Sequence, residues 1–166
     1  MIVENFVASI VSNLLSIAGL SAIANGCFIR VPFLNHTFVV TLSCIDLVGI
    51  FIQTSMYIFV VWVYVAANGF SIKPRTYSVL GLIGFIAFFS SNILRMFTEI
   101  FLLGKVYVST HQYYLLHWQA FEEQIGLGLM FVTLSILSIL SYLFFKRRMT
   151  KHFIFEKPKN EPLGYI

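Results

Sequence analysis

The chain has 166 residues, 58% of them hydrophobic and 11% charged, with a mean hydropathy of +0.86. That balance lies outside the range of soluble globular domains, so it excludes a water-soluble enzyme and describes an integral membrane protein. The formal charge of +4 is not a nucleic-acid signal: six of the eleven Lys and Arg residues lie in the last 21 positions, beyond the final apolar run, where they report membrane topology.

A span takes about 20 apolar residues to cross about 30 Å of hydrocarbon. The length therefore predicts an all-α membrane protein, a single domain over 1–145 with about four transmembrane helices and room for short interfacial ones, followed by a basic tail over 146–166. The first apolar run, Phe6 to Ala24, closes at Asn25-Gly26 and predicts a span over about 6–25. Its leader holds Glu4 and neither Lys nor Arg, the wrong charge for the n-region of a signal peptide, so the span is expected to be retained. A short turn region, CFIRVPFLNH, follows with Arg30 and Pro32.

The next run, 37–69, is too long for one perpendicular helix, and Asp46 near its start favours a helix that begins above the membrane plane. The connector SIKPRTY, with Lys73, Pro74 and Arg75, leads to a third span over about 77–104. The more polar KVYVSTHQYYLLHWQAFEEQ leads to a fourth over about 117–145, most apolar from Ile125 onward. Basic residues crowd the tail and the connector after the second span, whereas the other two connectors hold one each, Arg30 and Lys105. The positive-inside bias then puts both termini in the cytoplasm.

Two residues invite chemistry. Counted from the outer ends, Cys44 lies seven residues in from Thr37, about 10 Å of helix, and Arg95 lies nine residues in from Gly104, about 13 Å. A thiol and a fixed cation thus stand at similar depth on different helices, with His117 just before the fourth span and His111 shortly before it. The thiolate is the reactive form of cysteine and a nearby cation favours it. A guanidinium keeps its proton and suits a developing oxyanion or a carboxylate, and a histidine can move protons.

Each also has a plainer reading. Membrane cysteines usually pack as small apolar residues. Arg95 marks a functional site by its cost in lipid, yet Glu99, four residues on and on the same helical face, can simply neutralise it. The histidines sit beside Tyr113, Tyr114 and Trp118 in what reads as an interfacial belt. Glu122 and Glu123 are solvated charges at a helix N-terminus or acid/base partners. Cys27 and Cys44 are too few for a disulfide framework. No Cys/His spacing suggests a metal and no Gly-rich loop a phosphate, so no cofactor is expected.

The order of these pieces resembles the archaeosortase/exosortase family. The matching segments are LSCIDLVGIFIQ with Cys44, KPRTYSVLGLIGFIAFFSSNILRM with Asn92 and Arg95, and LLHWQAFEEQIGLGLMF with His117, together covering about Thr37 to Phe145. Members are membrane cysteine transpeptidases of bacteria and archaea, acting on exported proteins that end in a sorting signal: a short motif, a transmembrane helix and a basic end. The resemblance implies a multi-pass protein of a prokaryotic plasma membrane with its site toward the outer leaflet. It implies Cys44 as a nucleophile forming a thioester, Arg95 as the arginine of the site and His117 as the proton-transfer residue, with a lipid as acceptor of the new carboxyl end. Asn92 and Glu99 would support the site, and His111, Glu122 or Glu123 could hold the role of His117. The family cysteine is usually followed closely by a small residue and glycine; here Ile45-Asp46 stand there and Gly49 comes later. The alternative is a non-enzymatic small subunit of a larger membrane complex, with Arg95 and Glu99 as a structural polar contact.

Overall fold

The computed structural model describes residues 1–68, 73–107 and 114–155; the side chains of 105–107, 114–122 and 148–155 lie outside the description. The described elements run α1 (Ile2–Ile17), β1 (Ile23–Asn25), β2 (Phe28–Val31), β3 (His36–Val39), α2 (Leu42–Ile45), α3 (Leu47–Ala67), α4 (Pro74–Tyr107) and α5 (Tyr114–Phe155), with a 3-10 turn at Pro32–Leu34.

The expected first span is shorter than predicted and is not followed by a simple turn. At 16 residues α1 reaches about 24 Å, less than the hydrocarbon thickness, and it is not among the helices long and apolar enough to cross a membrane. Gly19 ends it. With φ +85 there, Gly19 N–H donates to Ser16 and Leu20 N–H to Leu15, the paired bonds that close a helix when glycine takes the left-handed conformation. Leu20 then turns inward against α4, where a Cβ on Gly104 would lie 3.0 Å from Leu20 Cδ2.

The chain is mostly helical, as expected, but the region from Ile23 to Val39 adds a small three-stranded antiparallel sheet in the order β1-β2-β3 where a turn was expected. β1 and β2 are joined by the two-residue turn Gly26–Cys27, with Gly26 at φ +63, as a tight hairpin requires at its first central position. Ile29 and Val31 are fully buried while Phe28 and Arg30 are exposed, the alternation of a sheet covered on one face. The covered face packs on Val7, Val11 and Leu15 of α1 and on Ile93, Met96, Ile100 and Leu103 of α4.

A second core lies along the other half of α4. Ile50, Tyr57, Val61 and Val65 recur every three or four residues on α3 and meet Phe88 of α4 and Leu137 and Phe145 of α5, the stripe spacing of packed helices. Tyr57 Oη and Ser141 Oγ are hydrogen-bonded at 2.6 Å, and Thr133 Oγ1 donates to Ser91 Oγ at 3.0 Å. Such bonds hold helices together where lipid offers polar groups nothing.

Among the described residues three segments are long and apolar enough to cross a membrane, Leu42–Ala67, Pro74–Gly104 and Glu123–Arg147, so the count there is three rather than four. Their outward faces carry exposed Phe51, Phe59, Trp62, Leu82, Ile86, Phe131 and Ile139, a surface that suits lipid and not water. The chain is a membrane protein with two tiers: α1, the sheet and α2 around the C-terminal half of α4, and α3 with α5 around its N-terminal half.

Gly84 lets α3 and α4 touch, since a Cβ there would come within 2.9 Å of Tyr57 Cδ1, whereas one at Gly128 would meet nothing within 4 Å. Gly84→Leu should therefore cost about 1–3 kcal/mol through overpacking, and Gly128→Leu should stay within about 0.5 kcal/mol. Thermal unfolding of the two variants in detergent micelles checks this.

Candidate functional site

The run predicted over 37–69 is three elements: β3, the four-residue α2 and α3. Thr41, in an extended conformation, caps α2 by accepting from Cys44 N–H at 3.4 Å. Asp46 ends it with φ 48 and ψ 50, a left-handed conformation that Asp tolerates better than most side chains. Its carboxylate then caps α3, Oδ1 accepting from Gly49 N–H at 3.0 Å. Asp46 thus closes one helix and opens the next, and Cys44 lies in a helix that precedes α3. The stretch from Thr37 to Cys44 is thus not one continuous helix, and a helical rise does not measure it.

A helix that stops after one turn leaves carbonyls without partners. Two of them face α4, and Asn92 and Arg95 fill them. Asn92 Nδ2 donates to Cys44 O at 3.0 Å and to Ile45 O at 2.6 Å; Arg95 Nη2 donates to Cys44 O at 3.0 Å. Arg95 Nε donates to Asn92 Oδ1 at 3.0 Å, and Nη1 lies 3.5 Å from Glu99 Oε1. The ion pair at four-residue spacing is present, buried to 18% and 10% side-chain exposure. Asn92, Arg95 and Glu99 form one row along α4, and the planar fork of arginine serves three neighbours at once.

The thiol faces the other way. Cys44 Sγ lies 3.3 Å from Thr41 Oγ1 and 3.8 Å from Val39 O. It lines a cavity of about 160 Å³ with Ile29, Phe38, Val39 and Val40 of the sheet side and Arg95, Met96, Glu99 and Ile100 of α4. Across Arg95, a smaller cavity of about 30 Å³ is bounded by Asp46, Gln53, Ser91, Asn92 and Gly126, large enough for an ordered water. A Cβ on Gly126 would lie 3.2 Å from Arg95 Cδ, so α5 passes directly against the arginine. Cys27 and Cys44 are both free thiols.

Of the residues singled out in the sequence, Cys44, Asn92, Arg95 and Glu99 come together. Glu123 is exposed and lines neither cavity. His117 and Glu122 lie on helical α5 with side chains outside the description, and His111 lies outside the described residues. Thr41, the Val39 carbonyl and Asp46 were not singled out for the site. Thr41 carries a readable signal, a threonine three residues before the cysteine at a helix start; a backbone carbonyl carries none. Among the described residues no three His, Cys, Asp or Glu side chains could hold a metal.

This geometry makes Asn92 a fold-bearing residue. Asn92→Leu should cost about 1–3 kcal/mol by orphaning Ile45 O and weakening the bond set of Cys44 O, with faster amide exchange over residues 42–47. Exchange mass spectrometry in micelles reads both the size and the place of the effect. Arg95→Lys should fall between Asn92→Leu and the unaltered chain, because an ammonium keeps the charge but cannot form the fork.

No protein-family model matches the chain, and neither does a curated protein or a solved structure.

Proposed function

We propose that the chain is a membrane-embedded cysteine transpeptidase with Cys44 as nucleophile and Arg95 as the fixed charge of the site. It would act on exported proteins that end in a transmembrane helix and a basic segment. The single observation that carries the reading is the shared cavity: Cys44 and Arg95 line one space of about 160 Å³. The resemblance in the order of Cys44, Asn92-x-x-Arg95 and His117 supplies the class of chemistry.

In this reading the Cys44 sulfur attacks the scissile carbonyl carbon and the carbonyl oxygen becomes an oxyanion beside Arg95. The C–N bond breaks, the leaving amine takes a proton from His117 or from one of its alternates, and a thioester remains. A hydroxyl or amine of the acceptor, a lipid, then passes its proton back to that same residue, attacks the thioester and releases the thiolate. Thr41 Oγ1, 3.3 Å from the sulfur, steadies the thiol between turnovers.

Orientation follows from helix lengths and charge. At 21 residues α3 spans about 31 Å, one hydrocarbon thickness, and α2 with Cys44 sits at its end. Lys73 and Arg75 at the opposite end, and Lys146 and Arg147 near the end of the last apolar segment, mark the cytoplasmic face. Cys44 and Arg95 then lie at the outer boundary of the hydrocarbon, where exported substrates pass. With three crossings, this reading puts the tier of α1 and the sheet on the outer side and the basic end on the inner side, where charge counting over four spans put both termini in the cytoplasm.

The alternative, a non-enzymatic subunit with Arg95 and Glu99 as a structural contact, draws on the bonds from Arg95 to the Cys44 backbone. The two readings part experimentally. Cys44→Ala should abolish shortening of a co-expressed exported protein carrying a C-terminal helix and basic end, while Cys27→Ala leaves it intact, both judged by gel mobility at equal membrane levels. Unchanged processing in Cys44→Ala sinks the enzyme; assembly lost in Glu99→Gln with Cys44→Ala silent favours the subunit. For orientation, a cysteine placed at exposed Phe33 should react with an impermeant maleimide on intact cells, and one at Lys73 only after permeabilisation.

A further inference from the structure

Among the described residues one edge of the sheet has no further strand, and it runs past the thiol. The register of β2 and β3 pairs Ile29 with Phe38 and Arg30 with Thr37. Val40 N–H donates to Cys27 O at 2.8 Å, which fixes the parity of the ladder: Phe38 and His36 exchange bonds with β2, while the N–H and C=O groups of Thr37 and Val39 point away from it. β3 is the outer strand of the order β1-β2-β3, whereas β1, the other outer strand, packs against α1. Thr37 and Val39 are exposed, and no described backbone bond uses either N–H. β3 also lacks the lysine, proline or bulge by which natural edges refuse a further strand.

The thiol lies in that row of outward groups. Cys44 Sγ stands 3.8 Å from Val39 O, one of the acceptors aimed off the edge, and a strand laid on β3 would run about 4.8 Å away. Its backbone therefore passes within reach of the sulfur. A side chain on the face shared with Ile29 and Phe38 would drop into the cavity floored by Met96 and Ile100.

We infer that the open edge of β3 is the substrate track: the peptide to be cleaved binds as a fourth strand, bonded to the backbone of Thr37 and Val39, and delivers its scissile carbonyl to Cys44. The inference rests on the reading of Cys44 as nucleophile and deepens it by naming the ligand as an extended polypeptide backbone, recognised before any side chain is read.

The test uses the purified full chain in micelles and two capped peptides of β-prone sequence, Thr-Val-Thr-Val, each ending in a chloromethyl ketone. One has free amides; its twin is N-methylated at alternate nitrogens, so it cannot complete a strand ladder. Alkylation forms an Sγ–C bond and releases chloride, and peptide mass spectrometry maps it to Cys44; iodoacetamide, which has no backbone to pair, reports the thiol alone. The free-amide peptide should alkylate Cys44 about tenfold faster than its twin, the worth of two hydrogen bonds. Thr37→Pro removes an outward N–H group without touching the ladder to β2, and should erase most of the difference while the iodoacetamide rate holds. Equal rates for the two peptides on the unaltered chain, with iodoacetamide still reacting, overturn the strand and leave the nucleophile standing; so does a preference that survives Thr37→Pro undiminished. A Cys44 that no reagent alkylates overturns the nucleophile and the inference together.

Discussion

Two carbonyl oxygens, those of Cys44 and Ile45, decide how the outer tier is built. A one-turn helix that breaks sharply exposes its C-terminal acceptors, and burying them unmet would cost several kcal/mol. Asn92 and Arg95 supply the donors from α4. Once that bond set exists, the height of α2 on α4 is fixed, Cys44 is turned toward the sheet, and Ile45 is driven into the core beside α1 and β2. The guanidinium is less of an extravagance than its apolar surroundings suggest: it sits at the end of a hydrocarbon-length helix, and its fork answers a helix end that wants positive charge.

The same bond set entangles structure with chemistry. Arg95 lines the cavity and also holds the backbone of the residue that carries the thiol. Loss of activity in an Arg95 variant cannot by itself separate a lost charge from a displaced cysteine. Asn92, which touches the backbone of Cys44 and not its sulfur, is the cleaner probe of displacement, and Thr41 the cleaner probe of the sulfur's surroundings.

How much of this could be read from residues varies with the kind of signal. The long apolar runs over 77–104 and 125–145 announced α4 and α5 because burial and lipid demand the same composition. Arg95 with Glu99 was legible because four-residue spacing is a local rule. The first run misled because composition does not distinguish a helix that crosses lipid from one packed under a sheet; Gly19 was the available stop signal, and Asn25-Gly26 marked a hairpin rather than the mere end of a span. The alternation in FIRV was the strand signal within what read as a turn. The break at Asp46 was half legible. The left-handed backbone at Asp46 is what glycine would supply without strain. Here the aspartate adopts it and gains a cap on Gly49 in exchange. The bonds from Asn92 to α2 lay beyond reach, since they join residues far apart in sequence through backbone atoms that every residue shares.

The length of α3 has a further consequence. It begins one residue after the break at Asp46 and runs 21 residues, so in the orientation proposed above it would act as a ruler that sets how high the thiol rides above the midplane, about half of 31 Å. α4, at 34 residues, overshoots any ordinary bilayer and cannot set that height. A thicker, sterol-like or long-chain lipid phase would have to thin locally or draw the α2 tier downward, at a cost of fractions of a kcal/mol per Å. Bilayer thickness is then an environmental variable that this fold converts directly into the wetness of one cysteine.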